Sequence, residues 1–91
     1  MDVKIKAMTL AEYEKYLAYL NECYEKVNDK KMQTFEMGML VMKWVAKEIY
    51  GIDPYTLHPG TLKYIADKTV EMTEKSEIED EKNSVKSGSG E

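Results

Sequence analysis

The stretch FEMGMLVMKWVAKEIYG, residues 35–51, decides the fold expected for this chain. Between residues 37 and 46 its only charged residue is Lys43, so a helix here is apolar on most of its sides. Such a helix is either buried centrally or covered by a partner. Gly51 follows at the place where helices often end in a left-handed residue. We therefore predict a middle helix over residues 33–50, with the rest of the chain packed around it.

Regular helical spacing divides the apolar residues of this middle helix between two faces. The predicted core stripe consists of Phe35, Met39, Met42, Ala46 and Ile49. The residues predicted to bind a partner, on the side facing away from that stripe, are Met37, Leu40, Val41 and Trp44. Methionine-rich surfaces adapt to varied partners, but methionine also fills irregular cores. The apolar residues of the middle helix can therefore serve core packing alone, or core packing together with a groove for a partner, and both interpretations remain open.

The segment before the middle helix predicts a first helix over residues 10–27, introduced by a capping box. The Thr9 hydroxyl can accept from the backbone N–H of Glu12, whose carboxylate reaches back to the N–H of Thr9. Met8 and Tyr13 flank the box at the positions of a hydrophobic staple. The apolar stripe of this helix is Leu10, Tyr13, Leu17, Leu20, Tyr24 and Val27. It favours a packed bundle helix over a coiled-coil seam, because it spans fewer than three heptads.

The connection over residues 51–60, which contains two prolines and two glycines, leads to a third helix. Asp53-Pro54 predicts a cap followed by one helical turn over residues 54–57, and His58-Pro59 opens a helix over residues 60–74. The short lead over residues 3–6 is expected to be extended. The chain is therefore predicted to be an all-α small bundle of three main helices. Its predicted core is Leu17, Leu20, Met39, Met42, Val45, Ile49, Leu62 and Ile65.

Composition divides the chain into a helical domain, residues 1–76, and an acidic, Ser/Gly-rich tail, residues 77–91. The tail is expected to be disordered, because its only bulky apolar residues are Ile78 and Val85. Its removal is expected to leave folding intact. The chain opens without a signal peptide and contains no apolar run of membrane-spanning length, so a cytoplasmic location and no membrane partner are expected.

The charged residues argue against a nucleic-acid partner. The net charge is −4 and all 13 basic residues are lysine, whereas arginine is the usual choice for bidentate phosphate and guanine contacts. A DNA-binding helical module is therefore disfavoured.

The residues that could carry catalysis or bind a metal all have simpler explanations. His58 is expected to open a helix, and Cys23 lies beside Glu22 and Glu25, whereas reactive cysteines typically lie in electropositive surroundings. The acidic cluster at residues 77–81 lacks the glycine and the spacing of a calcium-binding loop. We therefore expect no catalytic, cofactor-binding or metal-binding residues, no cofactor, and a protein that is not an enzyme.

Several segments together resemble a known family. They are Lys4-Ile5-Lys6 leading into Met8-Thr9-Leu10-Ala11-Glu12-Tyr13, Lys43-Trp44-Val45 through Ile49-Tyr50-Gly51, Leu62-Lys63-Tyr64-Ile65-Ala66 through Thr69-Val70-Glu71-Met72-Thr73, and the acidic tail running into Glu81-Lys82-Asn83-Ser84. With these the chain resembles the small tail assembly chaperones of long-tailed bacteriophages of Gram-positive hosts. The resemblance implies a non-enzymatic protein that binds the tape measure protein and helps recruit tail tube subunits, in the host cell cytoplasm if the protein is phage-encoded.

A second function fits the same size, acidity and lack of catalytic residues. A small acidic phage or bacterial protein that binds and inhibits a host protein shares all of these features, so this alternative stays open. Either protein needs an apolar surface that can close on a partner. A homo-oligomer also remains possible.

Overall fold

The computed structural model describes residues 3–75, so the predicted disordered tail over residues 77–91 lies outside the described residues. Helix α1 spans Leu10–Asn28, α2 spans Thr34–Trp44, and α3 spans Pro59–Glu74. A π-helical turn, Val45–Ile49, continues α2, and a 3-10 turn, Pro54–Thr56, precedes α3. The described part of the chain contains no strand. The prediction of an all-α bundle of three main helices is confirmed.

The helix starts follow the predicted capping residues. The N–H of Glu12 donates to Thr9 Oγ1 over 3.2 Å, and the N–H of Thr9 donates to Glu12 Oε1 over 2.9 Å. This confirms the capping box. His58 Nδ1 accepts from the N–H of Gly60 over 3.2 Å at the start of α3.

The turns around the connection also follow the sequence. Asp53 Oδ1 accepts from the N–H of Tyr55 over 3.0 Å and caps the 3-10 turn. Gly51 has a φ of 66°, in the left-handed region that glycine adopts without strain. The start of α2 is capped by Glu36, which the sequence reasoning had not identified. Its carboxylate accepts from the N–H of Gln33 over 2.8 Å.

Helix α2 is central, with α1 and α3 on two of its sides. Helix α3 packs along α2 and its π turn, α1 packs along α2, and α1 and α3 hardly contact each other. The connection after α2 folds back along it, since Lys43 Nζ donates to the Tyr55 hydroxyl over 2.8 Å. Helix α3 therefore runs in the same general direction as α2, and α1 runs opposite to it.

The most deeply buried residues come from the π turn and α3. The buried side chains are Met8, Tyr16, Cys23, Met37, Val45, Ala46, Ile49, Leu62, Ile65, Ala66 and Thr69. Among the predicted core residues, Val45, Ile49, Leu62 and Ile65 are confirmed as buried. Leu20 and Met42 are half-buried and pack against the core. The prediction is wrong for Leu17 and Met39, which are 42% and 44% exposed.

The π turn explains the error on α2. A π turn closes with i→i+5 hydrogen bonds, so it takes more residues than an α turn. Counting back from Ile49 with a regular 3.6-residue period predicts that Met42, Met39 and Phe35 face the core. The wider π turn instead shifts the buried face of α2 by about one residue. That face passes instead through Val45, Val41 and Met37, and Phe35 is 76% exposed.

Helix α1 is rotated about its axis relative to the prediction. Its buried residues are Tyr16 and Cys23, neither of which belongs to the predicted apolar stripe. Leu10, Leu17 and Tyr24, which share one line of the predicted stripe, are exposed. The rotation places aromatic rings against α2, and large tyrosine rings bury more apolar area than the leucines that they displace.

A chain of hydrogen bonds holds the N-terminal lead against the bundle. This lead has no regular secondary structure, as predicted. The Tyr50 hydroxyl accepts from the N–H of Lys6 over 3.0 Å and lies 2.6 Å from Thr69 Oγ1. Further along, the N–H of Met8 donates to Thr73 Oγ1 over 2.8 Å. The lead is thereby joined to the end of α2 and to α3.

Candidate interaction surfaces

Helix α2 is left open on two sides, and each opening is apolar. The first, here called the inter-helix cleft, lies between α1 and α3 with α2 as its floor and encloses about 380 Å³. Its apolar lining includes Leu20, Met37, Gly38, Val41, Met42 and Val70. On the α3 side its rim carries Lys63 and Asp67, whose side chains form an exposed ion pair of 2.7 Å. The cleft is therefore an apolar trough with a charged edge.

The inter-helix cleft is closed at one end by contacts between α1 and α3. The Tyr13 hydroxyl donates to Glu74 Oε2 over 2.9 Å. This bond to the carboxylate is the main reason that the pKa of Tyr13 is raised above its usual value, with burial and the negative charge of Glu74 adding to the effect. Because α1 and α3 pack little on each other elsewhere, the cleft opens away from this end.

The second opening, here called the outer groove, lies on the exposed face of α2. It encloses about 320 Å³. It is lined by Lys31, Met32, Phe35, Glu36, Met39, Leu40 and Lys43. Two of its apolar members, Phe35 and Met39, were predicted to lie in the core. The first part of the predicted core stripe thus faces outward, whereas Ala46 and Ile49 of the same stripe are buried.

The four residues predicted to bind a partner divide between these two openings. Met37 and Val41 lie in the floor of the inter-helix cleft, and Met37 is only 9% exposed. Leu40 is half-buried and lines the outer groove. Trp44 is half-buried and packs against the core. The four residues therefore do not form one face, and partner binding by them stays a prediction.

Trp44 mainly joins α1 to α2. Its ring stacks on Tyr19 with centroids 5.8 Å apart and planes at 17°, and it is tilted against Tyr16 at 6.0 Å. Burial is the main cause of the raised pKa of the Tyr16 and Tyr19 hydroxyls. A polar replacement of Trp44 would remove this packing, so it would not test partner binding separately from folding.

Gly38 marks the floor of the inter-helix cleft. A glycine in the middle of a helix costs about 0.5–1 kcal/mol relative to alanine. A Cβ at this position would meet nothing within 4 Å, so no contact within the described chain requires a glycine there. A glycine in a helix also lets another backbone approach closely. The position is therefore suited to a partner that lies directly on α2. The signal was present in the sequence, but without the helix faces it could not be placed in a cleft.

The residues considered for catalysis have structural roles. His58 caps α3, and Cys23 is buried with 3% exposure. Within residues 3–75, no group of three or more His, Cys, Asp or Glu side chains is placed to hold a metal ion. Across the same residues, every helix is too short or too polar to cross a membrane.

Comparisons with known protein families, with curated proteins and with solved structures find no match to this chain.

Proposed function

We propose that this chain is a non-enzymatic phage tail assembly chaperone that binds a helix of the tape measure protein in the inter-helix cleft. In this role it helps to recruit tail tube subunits during tail morphogenesis, in the host cell cytoplasm. The assignment of the partner rests on the sequence resemblance. The assignment of the surface rests on the geometry around Gly38.

The apolar cleft floored by Gly38 is the observation that carries the proposal. Its lining is apolar, its floor contains a glycine that the described chain does not need, and its width is set by two helices that meet at only one end. An amphipathic helix laid into an apolar groove is a recurring way to recognise a peptide. The methionines of the cleft, Met37 and Met42, suit it to partner helices of differing sequence.

The experiment blocks the cleft by replacing Gly38 with larger residues. A Cβ at position 38 would meet nothing within 4 Å, so Gly38→Phe is expected to fill the cleft from α2 while the monomer keeps its fold. Gly38→Ala adds only a methyl group and is expected to raise stability by up to about 1 kcal/mol, because alanine is the better helix former. Each variant is co-expressed with tagged helical fragments of the tape measure protein from the same genome, and co-purification is measured.

The expected result is that wild type and Gly38→Ala co-purify with a fragment, while Gly38→Phe does not, although its far-UV circular dichroism and melting are those of a folded helical protein. Equal recovery of wild type and Gly38→Phe would contradict the cleft as the binding site. Failure of wild type to bind any tape measure fragment would contradict the proposed partner.

A further inference from the structure

The outer groove presents a self-complementary pattern of charge. It lies on the regular α-helical part of α2, where residues three and four apart share a face. Glu36 lies three residues before Met39, and Lys43 lies three residues after Leu40. Around a point between Met39 and Leu40, the face therefore carries an acid on one side and a base at the same distance on the other.

A two-fold axis through that point brings opposite charges together. In an antiparallel pair of α2 helices, residues equally far from the axis in opposite directions face each other. Glu36 of each copy then faces Lys43 of the other, and Met39 and Leu40 meet their counterparts at the axis. A parallel pair would place each of these charges against its like, which is unfavourable.

The side chains on this face are already arranged for such a contact. Phe35 is 76% exposed, so most of its ring is available to a second molecule. Lys43 is held on this face by the bond to the Tyr55 hydroxyl and keeps further N–H groups for a carboxylate. Glu36 has one oxygen on the N–H of Gln33, which leaves the other free to accept.

We propose that the outer groove binds a second copy of this chain, forming a two-fold dimer through antiparallel α2 helices. The dimer covers Met32, Phe35, Met39 and Leu40 and is held in register by two Glu36–Lys43 pairs. Because the inter-helix cleft lies on another side of α2, this contact is independent of the proposed tape measure site.

The test measures the self-association of the full purified chain, with no other protein present, by sedimentation equilibrium over a range of concentrations. Lys43→Glu places like charges across the axis, and Met39→Glu places two new carboxylates beside it. Each is expected to raise the dimer dissociation constant by at least about tenfold. The double variant Glu36→Lys/Lys43→Glu exchanges the charges and is expected to restore the dimer.

Lys15→Glu, the same charge change on the exposed face of α1, is the matched control and is expected to leave the dimer intact. Circular dichroism checks that each variant remains helical. A wild-type chain that is monomeric at every concentration would overturn the proposal. So would a dimer that Lys43→Glu and Met39→Glu weaken no more than Lys15→Glu does.

Discussion

At the scale of single residues, three hydroxyl groups connect parts of the chain that are far apart in sequence. Tyr50 joins the N-terminal lead to Thr69 of α3, and Tyr13 joins α1 to Glu74. The Thr73 hydroxyl accepts from Met8 and donates to the carbonyl of Thr69 over 2.6 Å. In a domain of this size a single core is only marginally stabilising. Such hydrogen bonds therefore make up a large part of the net free energy of unfolding.

Removal of the Tyr50 hydroxyl is expected to destabilise the bundle. Thr69 is fully buried, so Tyr50→Phe leaves its hydroxyl without this partner and also frees the N–H of Lys6. We expect the free energy of unfolding to fall by about 1–2 kcal/mol in urea denaturation. The control Tyr64→Phe, at an exposed position on α3, is expected to stay within about 0.5 kcal/mol of wild type. Equal stability of both variants would contradict the bridging role.

Loss of the Thr9 cap at the start of α1 is expected to lower the free energy of unfolding measurably, but by less than loss of a core residue. Thr9→Ala removes the oxygen that accepts from the N–H of Glu12 and is expected to lower the free energy of unfolding by about 1 kcal/mol. Thr9→Ser keeps the hydroxyl and serves as the control. An unchanged denaturation midpoint for Thr9→Ala would show that the box does not stabilise the fold.

The Tyr13–Glu74 contact predicts a dependence on alkaline pH. The pKa of Tyr13 is raised from its ordinary value of 10.0, so its protonated form is favoured in the fold. The resulting stability is present below pH 10 and is lost as the pH rises through the higher pKa of the folded state. Stability above pH 10 should therefore fall more steeply in wild type than in Tyr13→Phe, measured by urea denaturation at several pH values. A Tyr13→Phe curve parallel to that of wild type would contradict this assignment.

At the scale of elements, most caps could be predicted from the sequence, whereas the buried faces of α1 and of the first part of α2 could not. Caps depend on residues within one turn of each other, so Thr9, Asp53 and His58 could be placed from sequence alone. The buried face of α2 depends on the π turn over Val45–Ile49, and nothing in a 3.6-residue period signals an extra residue. Part of the predicted core stripe of α2 was misplaced for this same reason. Phe35 was assigned to the core although it lies in the outer groove.

The π turn makes a specific prediction about deletions. Because it contains an additional residue, deleting the exposed Lys47 is expected to convert it to a regular α turn while Val45 and Ile49 keep facing the core. The free energy of unfolding should then stay within about 1 kcal/mol of wild type. Deleting Leu40 from the regular part of α2 rotates all preceding residues by about 100° and should abolish cooperative unfolding. Similar losses in the two variants, measured by thermal melting, would contradict this account of the helix.

At the scale of the whole molecule, α2 carries two open surfaces because α1 and α3 cover only part of it. The sequence left open whether the apolar middle helix is fully packed or also binds a partner, and the half-buried residues along it show that α1 and α3 do not cover it fully. It could not show that the openings lie on two sides, since that depends on how α1 and α3 are oriented by Tyr13, Glu74 and the connection after α2. We propose that the inter-helix cleft binds the tape measure protein and that the outer groove binds a second copy of the chain.

The most direct test of the central claim is a methyl NMR titration of the full chain with a helical fragment of the tape measure protein. We expect the methyl signals of Val41, Met42 and Val70, which line the inter-helix cleft, to shift with increasing fragment. The signals of Met32 and Met39 in the outer groove should shift much less. Shifts confined to the outer groove, or no shifts at saturating fragment, would contradict the claim that the cleft floored by Gly38 is the partner site.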